Sequence, residues 1–117
     1  MNEVRMIIAG SRDFTRYGSL VTIMKEIVTP DLVICGMARG ADLVGHKYAL
    51  GRDIPVLEMP AQWDLYGKRA GQIRNKQMAE EATHLLALWD KKSNGTRNMI
   101  SIAKSMNLHV NVIDIRI

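Results

Sequence analysis

The residues best suited to chemistry fall into four short stretches, each rich in glycine, hydroxyl or basic side chains. The first is Gly10-Ser11-Arg12-Asp13-Phe14. A glycine there lets the backbone turn sharply, and Ser11 and Arg12 offer donors to a phosphate or carboxylate. A turn glycine beside a solvated arginine reads equally well on this stretch alone. The second is Gly36-Met37-Ala38-Arg39-Gly40-Ala41-Asp42, glycine-flanked and opening a helix. Free amides at a helix start bind anions with help from the dipole, and Arg39 adds charge. Asp42 reads as a first-turn or capping acid, or as a group holding a ribose hydroxyl.

The third stretch runs from Pro60 to Asn75 and carries Trp63, Tyr66, Lys68 and Arg74. Trp63 and Tyr66 are aromatics in polar surroundings that either stack on a base or cap the core. Arg74 and Asn75 begin a helical row with Met78, which points that row at the sheet edge and not at water. The fourth is Ser93-Asn94-Gly95-Thr96, a second helix start with phosphate-binding geometry, where Thr96 either faces the ligand or is simply the N-cap.

Other chemistries find no support. Only Gly10 of a G-x-G-x-x-G fingerprint is present, which argues against ordinary NAD-dehydrogenase binding. His46, His84 and His109 lie in different elements without ligand spacing, so no metal is expected, and no Ser-His-Asp set is visible. Asp13, Asp42, Asp64 and Asp90 are scattered over four loops, weak grounds for acid–base catalysis. Cys35, the one cysteine, excludes an internal disulfide and reads as a small buried hydrophobe.

These loops need elements to hold them. The 117 residues are 47% hydrophobic and 24% charged, which suits one globular domain over 1–117. Apolar runs alternate with helix-period segments, the pattern of a parallel sheet covered on both faces. Strands are expected at Val4–Ala9, Leu32–Cys35, Ile54–Met59, Leu85–Trp89 and Leu108–Asp114, the fourth central and the last a half-exposed edge. Helices are expected at about 16–28, from Gly40 to Leu50, at 68–82 and at 96–106, with Val28 and Met106 on their inward faces. The predicted fold class is α/β: a Rossmann-like three-layer sandwich of about five mostly parallel strands. Right-handed crossovers then bring the four loops to one sheet edge, where ligands of such folds bind.

The formal charge of +4 suits an anionic small molecule better than a nucleic-acid groove. The apolar run Met6–Ala9 is too short for a signal peptide or a membrane span, so the cytoplasm is the expected location.

Together the strings GSRDF, GMARGAD, PAQWDLYGKRAGQIRN and NGT resemble the YspA/YpsA-related branch of the SLOG superfamily, which also holds the lonely-guy phosphoribohydrolases and the Smf/DprA proteins. The resemblance covers nearly the whole chain and implies a Rossmann-like fold that binds nucleotides or their derivatives at the glycine-rich loops. It implies self-association into a homodimer or higher oligomer, and makes a phage origin unsurprising. Gly10, Ser11, Arg12, Asp13, Gly36, Ala38, Arg39, Gly40, Asp42, Trp63, Lys68, Arg74, Asn75, Asn94, Gly95 and Thr96 are then the expected ligand-binding set, with no metal and no certain cofactor. Arg74 in RNKQM is similar to the arginine of the lonely-guy R-K-x-x-M helix start. Asn94-Gly95-Thr96 is similar to part of P-G-G-x-G-T-x-x-E, but the glutamate position is Met99 here and the preceding glycine pair is missing. Methionine takes up no proton and stabilises no oxocarbenium ion. The expectation is therefore ligand binding, for sensing or sequestration. The alternatives are an N-glycosidic hydrolase, with Asp13, Asp64 or a partner subunit replacing the glutamate, and a DNA-processing accessory protein.

Overall fold

The structure, a computed structural model, describes residues 3–116. Five strands form one parallel sheet: β1 (Arg5–Gly10), β2 (Leu32–Cys35), β3 (Val56–Glu58), β4 (His84–Trp89) and β5 (His109–Asp114). Their order across the sheet is β3-β2-β1-β4-β5. The chain runs outward from β1 to one edge, then crosses back to build the other half, so the switch point lies between β1 and β4. The helices are α1 (Tyr17–Met24), α2 (Ala41–Gly51), α3 (Trp63–Tyr66), α4 (Ala70–Glu81) and α5 (Asn94–Ser105), with a 3-10 turn at Gly67–Arg69.

Alternation along the strands sorts the core into two layers. Met6 and Ile8 of β1, Val33 of β2, and Leu86 and Leu88 of β4 pack with Leu20 and Met24 of α1 and with Tyr48 and Ala49 of α2. Their neighbours Ile7, Ala9, Ile34, Leu85 and Ala87 pack on the opposite face with Met78 and Ala79 of α4 and with Met99, Ile100 and Ala103 of α5. This is the expected α/β Rossmann-like fold with helices on both faces. Among the described residues no helix is long and apolar enough to cross a membrane.

Several boundaries differ from the sequence reading. The first helix ends at Met24, not Val28, and Lys25 to Ile27 continue as tighter turns with amides bonding three residues back. The segment is rich in β-branched residues and meets Pro30, which together disfavour helix. Val28 is consequently exposed, not inward. Met106 is exposed too, because α5 ends one residue before it. The expected strand 54–59 shortens to three residues at the sheet edge. The helix expected from Lys68 begins at Ala70, after the unforeseen turn of helix α3; Gly67, at φ 56, separates the two. α5 starts at Asn94 and not Thr96, which puts Gly95 and Thr96 inside its first turn.

Candidate ligand cleft

The loops after β1 to β4 surround a cleft of about 550 Å³ at the carboxyl edge of the sheet. Its volume falls within the ordinary range of small-molecule sites. Thirteen of the sixteen expected site residues line it: Gly10, Arg12 and Asp13; Ala38, Arg39 and Asp42; Trp63, Lys68, Arg74 and Asn75; Asn94, Gly95 and Thr96. The lining holds four basic and two acidic side chains, so the cleft favours an anion.

The two helix starts are not equivalent. At α5 the N-cap is Ser93, yet its side chain makes no capping hydrogen bond. Its hydroxyl donates instead to Ser11 Oγ at 3.2 Å. Arg97 supplies the first intrahelical bond, to the Ser93 carbonyl, and the Ser93 amide is held by Asp90 Oδ1 at 2.8 Å. The amides of Asn94, Gly95 and Thr96 therefore have no intrahelical acceptor and form the positive end of a 12-residue helix. At α2 the corresponding space is filled from within. The Ala41 amide bonds the Ser11 carbonyl at 3.1 Å, and the Ala38 amide reaches Asp42 Oδ2 at 3.3 Å. The Gly36–Gly40 loop and the start of α2 thus bring the Asp42 carboxylate to the cleft, with the Ala38 and Ala41 amides already taken.

Ser11, Gly36 and Gly40 stand behind the wall. Ser11 is fully buried, and its hydroxyl accepts from the Asp90 amide at 3.0 Å as well as from Ser93. It ties the first loop to the fourth and does not offer itself to a ligand. Gly40 packs against the carbonyls of Ser11 and Arg12. Gly36 leaves room for two charged groups: a Cβ there would lie 2.7 Å from Arg74 Nη1 and 2.7 Å from Asp42 Oδ2.

Arg74 is anchored on one side and open on the other. Nη1 donates to the Gly36 carbonyl at 2.6 Å and Nε to Asn75 Oδ1 at 3.1 Å, leaving Nη2 for the cleft. Asn75 is committed throughout, since its Nδ2 also donates to Asn98 Oδ1 at 2.9 Å and the Gly95 carbonyl at 3.3 Å. It joins α4 to α5 and positions Arg74. The row Arg74, Asn75, Met78 does face the cleft, as the spacing predicts. Trp63 lies over the first turn of α4, its Cη2 opposite Gly71, and stays 55% exposed at the rim. Arg39 and Asp13 form a loose rim pair at 4.0 Å, both highly exposed.

Asp42 is the electrostatic anomaly. It is only 5% exposed, and burial raises its pKa to about 6 despite the pull of Arg74 and of the Ala38 and Gly10 amides. Burial lowers that of Arg74, which the Asp42 charge opposes. Desolvation outweighs attraction on both sides, so the two charges cost stability where they sit. A carboxyl whose folded pKa is raised binds its proton more tightly than the unfolded chain does. Stability is therefore lost as pH rises from about 4 to about 6, and the penalty persists above. Asp42→Asn is expected to stabilise the protein by about 2 kcal/mol at pH 7 and to change little at pH 4. Urea unfolding at the two pH values measures this; equal effects at both would contradict it.

The remaining carboxylates lie elsewhere in role. Asp90 holds the Lys92 and Ser93 amides, which keep its pKa down at about 2. Asp64 lies on the exposed α3 and does not line the cleft. Met99 is buried in the cleft floor, where it also packs in the core. Cys35 is fully buried, its thiol donating to the Asp42 carbonyl at 3.1 Å, and burial pushes its pKa up to about 11. Gln72 and Asn98 line the cleft without having been singled out from sequence, and Ser93, named in the fourth stretch but not in the expected binding set, lines it too. The i, i+3 relation of Asn75 to Gln72 was the available signal for the first.

Neither a scan of protein-family models nor a search of curated proteins finds a match. Among solved structures, the X-ray structure of DNA processing protein A (DprA) from Streptococcus pneumoniae superposes with a TM-score of 0.78 at 15% identity. The match covers 98% of this chain and 51% of that one, so the chain spans about half the length of its structural neighbour. Smf/DprA proteins belong to the superfamily that the loop strings resemble, and the likeness here is one of fold. The chain has a Rossmann-like α/β fold like that found in DprA.

Proposed function

We propose that the cleft binds a nucleotide or nucleotide-derived ligand, for sensing or sequestration. One observation carries the reading: the N-terminus of α5, its cap hydroxyl diverted to Ser11, opens into a cleft lined by Arg12, Arg39, Lys68 and Arg74. The amides of Asn94, Gly95 and Thr96 take the phosphate, the cations surround it, and Trp63 stacks on the base. Hydrolysis of an N-glycosidic bond has less support, because Met99 is inert, Asp64 lies outside the cleft, and Asp13 is an exposed rim carboxylate.

A thermal-shift panel of AMP, ADP, ATP, NAD, ADP-ribose and cyclic dinucleotides tests the proposal. A ligand at a hundred times its Kd stabilises by about 2.7 kcal/mol, a rise of several degrees in Tm. No shift with any of them at millimolar concentration, in folded protein, overturns it. Mass spectrometry of the same samples reports whether base is released.

The DprA likeness favours a second reading, a DNA-processing accessory whose basic rim meets single-stranded DNA. Oligonucleotide binding that falls steeply with salt, alongside a flat nucleotide screen, is its signature.

A further inference from the structure

The cleft has two unlike regions. At α5, open amides and cations suit a phosphate. Beside Arg74, the cleft holds instead the Asp42 carboxyl, almost wholly out of water. Its Oδ2 accepts the long bond from the Ala38 amide at 3.3 Å, and the Gly10 amide also draws on the carboxylate. No buried side-chain polar atom among the described residues is left without a partner, so what is free on this carboxyl opens to the cleft. A carboxylate placed there repels phosphate and calls for an uncharged hydrogen-bond donor. A nucleotide offers two kinds, the ribose hydroxyls and the amino groups of a base.

The fold decides between them. In Rossmann-like sheets the acid that takes a ribose hydroxyl comes from the region at the end of the second strand. Here the end of β2 is Cys35, buried and non-ionised, and its thiol holds the Asp42 backbone carbonyl. The first turn of α2 thereby carries the Asp42 carboxyl toward the place that the strand end leaves without an acid. Trp63, on the rim, is left for the base.

We propose that Asp42 accepts the ribose hydroxyls of the ligand, so that the cleft selects ribonucleotides over deoxyribonucleotides. The inference rests on the nucleotide reading and names the sugar that reading leaves open. It also explains why a buried carboxyl that costs stability occupies the cleft wall: an asparagine of the same shape loses the charge that strengthens a hydroxyl's hydrogen bond.

The test is a Kd comparison, by calorimetry, of AMP, ADP and ATP with their 2′-deoxy and 3′-deoxy counterparts on the native chain and on Asp42→Asn and Asp42→Ala. Circular dichroism confirms folding. Native protein is expected to prefer the ribonucleotide by tenfold or more, and both variants to bring the ratio within about threefold while still binding. Equal affinity for ribo- and deoxy-forms in native protein overturns the inference and leaves the nucleotide reading standing. So does a preference that survives both substitutions. If none of these nucleotides binds the native chain, nor any other ligand of the screening panel, the nucleotide reading itself falls.

Discussion

Gly10→Ala is expected to lower Tm by 10 °C or more. Gly10 ends β1 and pairs in register with Leu88 of β4, at the switch point of the sheet. Its φ is 157°, a backbone state that L side chains rarely adopt, and an added Cβ would collide with the Leu88 carbonyl oxygen. That oxygen also accepts the Ser11 amide at 2.9 Å, so it is fixed from two sides. Neither strand moves easily, since both are buried under helices on each face. Strain of this kind together with displaced core backbone costs about 3 kcal/mol or more, a large share of the 5–15 kcal/mol typical of a domain. Differential scanning calorimetry of the alanine variant reads it directly, and a fall of less than 3 °C would mean that the approach of β1 to β4 is slacker than described. Gly18, with nothing near its added Cβ, is the matched control.

Arg74→Ala is expected to weaken binding of whichever panel nucleotide gives the largest shift by about ten- to a hundredfold. A charge-assisted contact from a preorganised guanidinium contributes about 1.5–3 kcal/mol. Arg74 is preorganised by the Gly36 carbonyl and Asn75, so little side-chain freedom remains to be lost on binding. Arg74→Lys should do nearly as badly, because an ammonium keeps the charge but cannot hold Gly36 and Asn75 while presenting a further donor. Lys68→Ala, at an exposed rim position, should cost only a few-fold. Isothermal titration of the three variants distinguishes these; affinity within threefold of native for Arg74→Ala would confine Arg74 to a structural role.

Sheet and cleft were legible to different depths. Continuous apolar runs at Met6–Ala9 and Leu85–Trp89 announced buried strands, because two-sided burial removes polar positions. Glycine and basic residues clustered after those strands, and parallel topology alone brought them together. Helix ends were harder to read. At α1 the apolar spacing runs past Met24, but β-branched residues and Pro30 stop the helix before the pattern does. Ser11 and Asp42 mark the limit of reading side chains by type. A serine after a strand suggested a phosphate donor, yet the Ser93 hydroxyl and Asp90 amide that hold it come from some eighty residues later. Nothing local in the sequence reveals that pairing. Likewise, the surroundings that make Asp42 distinctive include Arg74, from a helix much later in the chain, whose proximity only the folded sheet creates.

The strand order has a kinetic consequence. β1 must find β4 across an interval of 78 residues, as the bond from the Arg5 amide to Thr83 shows. Loop closure over that distance is slow, and parallel pairings have no local hairpin to seed them. The first half of the chain can assemble β1, β2 and β3 early, but one side of β1 stays open until residue 89 has been synthesised. The cleft straddles this seam, with Asp42 contributed by the half made first and the α5 amides by the half made last. A chain that stops before residue 94 therefore lacks the α5 side of the cleft, and a ligand held as proposed would act as a clasp across the β1–β4 junction.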